Sequence, residues 1–290
     1  MMHTIENEFL RITVHRKGAE LTSLYDKVNG IEHLWHGDPA VWGWHAPVLF
    51  PIVGRCLDDK ISIDGKDYKM EKHGFARNLD FELVSQEKHS LSYHLSSSES
   101  TLSIYPYQFD FYITYTLDGS TVKESFQVVN KETGMIYFSL GGHPAFAVPF
   151  LAGERYEDYH IEFEKDTNLD RYLIDTDGFF DGRRVKTLDG SRLLPLTKDM
   201  FADDAYIFKN LQSRKVTLRS AKNPHTLSVS FPDFHYLGLW AKVDAPYVCI
   251  EPWRGCADTA GHPTPFDRKE EIISLPPLGK FEASIVITIS

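Results

Sequence analysis

Short runs in which apolar and polar residues alternate recur along the chain, at residues 10–14, 60–63, 81–84, 109–117, 121–129 and 281–289. A period of two sends successive side chains to opposite faces, so each run predicts a half-buried β-strand. The runs lie among Asp64-Gly65, Asp118-Gly119-Ser120, Asp177-Gly178, Asp181-Gly182 and Asp189-Gly190, whose short acids and glycines suit tight reversals. The clearest hairpin pairs 111–117 with 121–129 across Asp118-Gly119-Ser120. Helical pieces are expected only at 38–44 and 198–201.

Many short strands at regular spacing, without a linker or a fixed-period repeat, predict one domain over residues 1–290. The expected architecture is all-β, a large antiparallel β-sandwich. A propeller is the alternative, but no blade motif supports it.

Composition narrows the class. Of 290 residues 42% are hydrophobic and 13% aromatic, which is enough for a large core. A formal charge of −10 argues against nucleic acid or an anionic membrane as partner. The start of the chain, with Glu6 and Glu8, lacks the basic end and apolar run of an export signal, and the greasy segment 41–53 is broken by His45 and two prolines. A cytoplasmic location is expected. Cys56, Cys249 and Cys256 form no Cys-x-x-Cys pair, so free thiols are expected and no structural metal site.

Four clusters carry chemistry: Gly54-Arg55, His73-Gly74-Phe75-Ala76-Arg77-Asn78, Gly141-Gly142-His143-Pro144-Ala145-Phe146, and Ile250-Glu251-Pro252-Trp253-Arg254-Gly255-Cys256-Ala257-Asp258. Two glycines and a proline around His143 suit a backbone that aims an imidazole into a pocket, although a histidine in such a turn also serves as a structural hydrogen-bond partner. Glu251 ends an apolar strand that Pro252 is expected to stop. A carboxylate there either pairs with an arginine, which lowers its pKa, or faces a pocket beside Trp253, which raises it. Arg55 and Arg77 both admit plain ion pairs, Arg77 with Asp80 or Glu82.

In this order the clusters, with Gly18-Ala19-Glu20-Leu21 and Asp203-Asp204-Ala205, resemble the aldose 1-epimerase (galactose mutarotase-like) family, in particular its bacterial branch with His-Gly-Phe-Ala-Arg and Glu-Pro-Trp patterns. The resemblance implies a β-supersandwich, no metal or organic cofactor, and interconversion of the α and β anomers of a sugar. It implies that His143 is the general acid for the ring oxygen and Glu251 the general base for the anomeric hydroxyl. His73 would hold the ring-oxygen side, Arg55 would orient hydroxyls, and Asp204, or its neighbour Asp203, would bind them. Phe146, Trp35 and Trp253 are candidate apolar walls.

The preferred substrate is a free aldohexose such as galactose or glucose. Arg77 and Arg55 together are similar to the basic lining of relatives that act on hexose 6-phosphates, so a sugar phosphate is the alternative. A non-catalytic sugar-binding or sensing protein, and a metal enzyme built on His73, His143 and Glu251, are the competing classes.

Overall fold

The computed structural model describes all residues, 1–290, and is built from antiparallel sheets. A nine-stranded sheet runs in the order Leu193–Pro195, Tyr159–Phe163, Lys215–Ser220, Thr226–Ser230, Lys280–Ile289, Thr121–Asn130, Phe109–Asp118, Ser90–Ser96, Glu82–Glu87. The second large sheet runs Phe180–Asp189, Asn168–Ile174, Tyr206–Phe208, Tyr236–Trp240, Tyr247–Arg254, Leu140–Gly142, Val48–Leu49, with Ala145–Ala147 also paired to Tyr247–Arg254. A four-stranded sheet from Met2 to Glu32 completes the N-terminal part.

Alternation explains this arrangement. In Phe109–Asp118 the odd-numbered residues Phe109, Phe111, Ile113, Tyr115 and Leu117 are buried, and the paired strand Thr121–Asn130 turns Val122, Phe126 and Val128 to the same side. The two strands meet at Asp118 opposite Thr121, around a Gly119-Ser120 loop with Gly119 at φ +53°. Each of those large apolar side chains contributes roughly 1.5–3 kcal/mol by leaving water. One buried cluster joins residues from Ile5 to Ile289.

Four local expectations fail. Residues 39–41 and 198–202 form turns rather than helices. At the first, Asp38 accepts at its side chain from Ala40 N–H and at its carbonyl from Trp42 N–H. Asp181-Gly182 lies inside strand Phe180–Asp189, where the pairing register shifts, so it is a bulge and not a reversal. Pro252 does not end its strand, which continues to Arg254. Its missing donor falls on the side where the neighbouring strand is broken by His143-Pro144, so no ladder bond is lost there.

Candidate active site

The same break aims the proposed acid. Gly141 faces Trp253 and Ala145 faces Cys249, so register is kept across His143-Pro144 and His143 stands opposite Glu251. His143 Nε2 is 3.1 Å from Glu251 Oε2. The glycine pair serves close packing and not a left-handed turn. A Cβ on Gly141 would lie 2.8 Å from the Trp253 ring, and one on Gly142 would lie 2.5 Å from Ile285.

These two groups line a pocket of about 270 Å³ together with His73, Arg77, Asp204 and Trp253. His73 is held from both sides by one residue. Its backbone N–H donates to the Gly54 carbonyl at 2.8 Å, and Gly54 N–H donates to His73 Nδ1 at 3.1 Å. With Nδ1 an acceptor, the proton of the neutral ring sits on Nε2, which is left to donate to a ligand. Gly54 takes φ +73°, and a Cβ there would meet Ala257 at 2.7 Å, so this lock requires glycine.

Burial sets the charge state of the centre. It drives His143 down to about 3, with Arg77 and Lys72 adding to the effect against a smaller opposing backbone contribution. Burial also holds His73 well below its ordinary value, helped by His143, Lys72 and Arg77. Glu251 is raised well above the usual carboxylate range, first by burial and also by Asp204, with Lys72 opposing. Both shifts favour the uncharged forms of the two groups joined by the 3.1 Å contact.

Of the two acids left open by the sequence, Asp204 lines the pocket, whereas Asp203 is exposed and approaches Arg171 at 3.9 Å. Arg77 lines the pocket but makes no ion pair with Asp80 or Glu82. Its Nη2 donates to the Lys72 carbonyl at 2.8 Å, its guanidinium lies over Trp44 at 5.3 Å, and Asp80 is approached by Arg16 instead. Arg55 lies outside this pocket. Its guanidinium binds Asp59 at 2.7 and 2.9 Å and donates to the Asp177 carbonyl at 3.1 Å, on the wall of an adjoining cleft shared with Lys72 and Asp204.

Of the three aromatic candidates only Trp253 lines the pocket. Trp35 and Phe146 are interior, and Trp35 Nε1 donates to the Trp42 carbonyl at 2.8 Å. Trp42 is the wall that sequence reasoning missed: it stacks on His143 at 5.0 Å and 27°. Trp240 meets the same imidazole edge-on at 6.0 Å. Lys72 was also missed, although it directly precedes His73. The donor set in the structure also differs from that of the competing metal-enzyme reading, because Cys249, rather than His73, joins His143 and Glu251.

Residues 1–263 match the sequence model of the family described as aldose 1-epimerase. The chain belongs to the aldose 1-epimerase family. It is 35% identical over 296 aligned positions to the chromosomal LacX protein of Lactococcus lactis subsp. lactis, with 98% of each chain covered. A galactose mutarotase related enzyme from Lactobacillus acidophilus is 36% identical and superposes with a TM-score of 0.95, covering 100% of this chain and 97% of that one. A galactose mutarotase-like protein from Lactobacillus casei is 30% identical with a TM-score of 0.93 over 100% of both chains. The all-β sandwich expected from the alternating runs is thus the galactose mutarotase-like fold of this epimerase family.

Proposed function

We propose that this family member is a mutarotase, interconverting the α and β anomers of a free aldohexose such as galactose or glucose by opening and reclosing the ring. The observation that carries the reading is the buried His143–Glu251 pair, one imidazole and one carboxylate sharing a proton at the wall of a pocket. Ring opening needs a base for the anomeric hydroxyl and an acid for the ring oxygen, and a pair with one proton supplies both. In reclosure on the other face of the aldehyde the two exchange roles, so the pair returns to its starting state.

Geometry and burial add a condition. With Glu251 as base and His143 as acid, the proton must sit on His143, yet in the sugar-free pocket burial favours it on Glu251. A sugar hydroxyl donating to Glu251 stabilises the carboxylate, and the proton crosses the 3.1 Å bond to His143. His73 donates from Nε2 toward the ring-oxygen side, Asp204 accepts from sugar hydroxyls, and Trp42, Trp240 and Trp253 exclude water. In this account Arg77 stiffens the wall and helps bind the sugar, and Arg55 acts from the adjoining cleft.

A free sugar is preferred to a phosphate because Arg55, the second guanidinium of a phosphate clamp, faces the adjoining cleft and not the pocket that Arg77 and Lys72 line together with Asp204. A purely sensing role has no use for a buried proton pair, whose desolvation destabilises the fold. Catalysis needs no metal or organic cofactor in this scheme. No helix is long and apolar enough to cross a membrane, and the cytoplasm is part of the proposal as the site of action. Polarimetry of freshly dissolved α-galactose, α-glucose and α-glucose 6-phosphate with catalytic protein tests it. Faster relaxation of the free sugars is expected, and acceleration of the phosphate alone would overturn the substrate assignment.

A further inference from the structure

We propose that the floor of this pocket binds a thiophilic divalent cation of the zinc or cadmium type, and that the bound ion shuts off the enzyme by occupying His143 and Glu251 together. The inhibition rests on the function proposed above; the binding does not.

Three different donors converge there. A nitrogen of His143, Cys249 Sγ and an oxygen of Glu251 all lie within 4.8 Å of one another, on residues that are all buried. The strand arrangement produces this: Cys249 and Glu251 are two residues apart on one strand and share a face, and His143 stands opposite Glu251. Cys249 stands opposite Ala145 on one neighbouring strand and opposite Trp240 on the other, so a methyl group and an indole flank its position.

One nitrogen, one sulfur and one oxygen ligand, with a fourth position toward the pocket, make a set that suits zinc and its heavier congener over magnesium or calcium. Metal–ligand bonds of about 2.0–2.3 Å place the ligands of a tetrahedral ion roughly 3–4 Å apart. His143 and Glu251 already stand at 3.1 Å, and the three donor atoms all lie within 4.8 Å of one another. On binding, the thiol and the carboxyl each release one proton to solvent. A thiolate and a carboxylate then balance the dication, so the filled site adds no net charge to a dry pocket.

Cadmium titrated into the reduced protein tests this, with the ultraviolet thiolate-to-cadmium charge-transfer band and the mutarotation rate followed together. The expected result is one saturable band per chain, reversed by EDTA, displaced by zinc and unaffected by magnesium, with the rate falling at the same midpoint. Cys249→Ser, with Cys56 and Cys256 intact, removes the band and raises the inhibitory midpoint by roughly tenfold or more. His143→Asn weakens cadmium binding by a similar factor, which keeps the test decisive if the cysteine variant does not fold. No band in the wild type, or a band unchanged in either variant, overturns the proposal. If the untreated protein moves no sugar, the functional reading fails while the band still decides the metal site.

Discussion

His143 stands across from Glu251 on neighbouring strands, its Nε2 3.1 Å from the carboxylate, at the one place where the facing strand is interrupted. In the proposed relay the two share a single proton, so removing either end removes it. His143→Asn is expected to lower kcat by roughly 10²–10⁴-fold while the far-ultraviolet circular dichroism stays as in wild type. A variant that turns over within a factor of a few of wild type would take His143 out of the chemistry.

His73 tests substrate positioning. Its Nδ1 is occupied by Gly54 N–H, and the side-chain carbonyl of an asparagine can take over that acceptor role, so His73→Asn removes chiefly the Nε2 donor. The expected effect is a drop of about tenfold or more in kcat/KM, about 1.4 kcal/mol, with part of it in KM. Magnetisation-transfer kinetics over a range of sugar concentrations measures both constants. A lowered melting temperature with unchanged kcat/KM would assign His73 to structure alone.

Asp258 holds the loop that carries Gly54. Its carboxylate accepts from Leu57 N–H at 2.8 Å and pairs with the buried Lys269, while its backbone N–H donates to the Arg55 carbonyl at 3.0 Å. Asp258→Asn leaves the lysine buried without a charge partner and is expected to cost about 3–5 kcal/mol in urea unfolding. Adding Lys269→Met should recover much of that loss. If Asp258→Asn unfolds at the wild-type midpoint, the pair is not a clamp.

Glu124 makes stability depend on pH. Tyr115 Oη lies 2.8 Å from the Ala19 carbonyl and 2.8 Å from Glu124 Oε1. The Tyr115 hydroxyl donates toward both acceptors and carries one proton, so protonating Glu124 lets the carboxyl donate in turn and frees that proton for Ala19. Burial pushes this acid from 4.5 up to about 7. Between those values the folded chain holds a proton that the unfolded chain has released, so stability falls as pH rises through the window and levels off above it. The slope is at most roughly 1.4 kcal/mol per pH unit for one proton. Glu124→Gln, which keeps a donor, should flatten the slope from this group, and identical pH profiles of unfolding in the two proteins would contradict the assignment.

The strands were legible because a buried face and a wet face impose alternation, as in 109–117 and 121–129. The segment 38–44 was not, because Asp38 closes a single turn and the indole of Trp35 fixes the chain through the Trp42 carbonyl, a contact that no local period records. Pro252 misled for a related reason: a proline stops a strand unless the neighbour is already broken, and that break lies at His143-Pro144, far away in sequence. His143, Glu251, His73 and Asp204 were found by resemblance to the family, and the fold brings them to one pocket. Trp42 and Trp240 stayed hidden because aromatics fill both cores and pockets: strand register turns Trp240 to the cavity, while Trp42 reaches it from a segment outside any strand. The guanidinium of Arg55 lies outside that cavity because Asp59, four residues further along the chain, engages it.

The most direct test of the central claim is the proton NMR anomeric signal of freshly dissolved α-galactose, followed with wild type and with Glu251→Gln at equal concentration. Rapid appearance of the β anomer with wild type, and relaxation at the buffer rate with the variant, is the predicted result. Equal rates for the two proteins would contradict it.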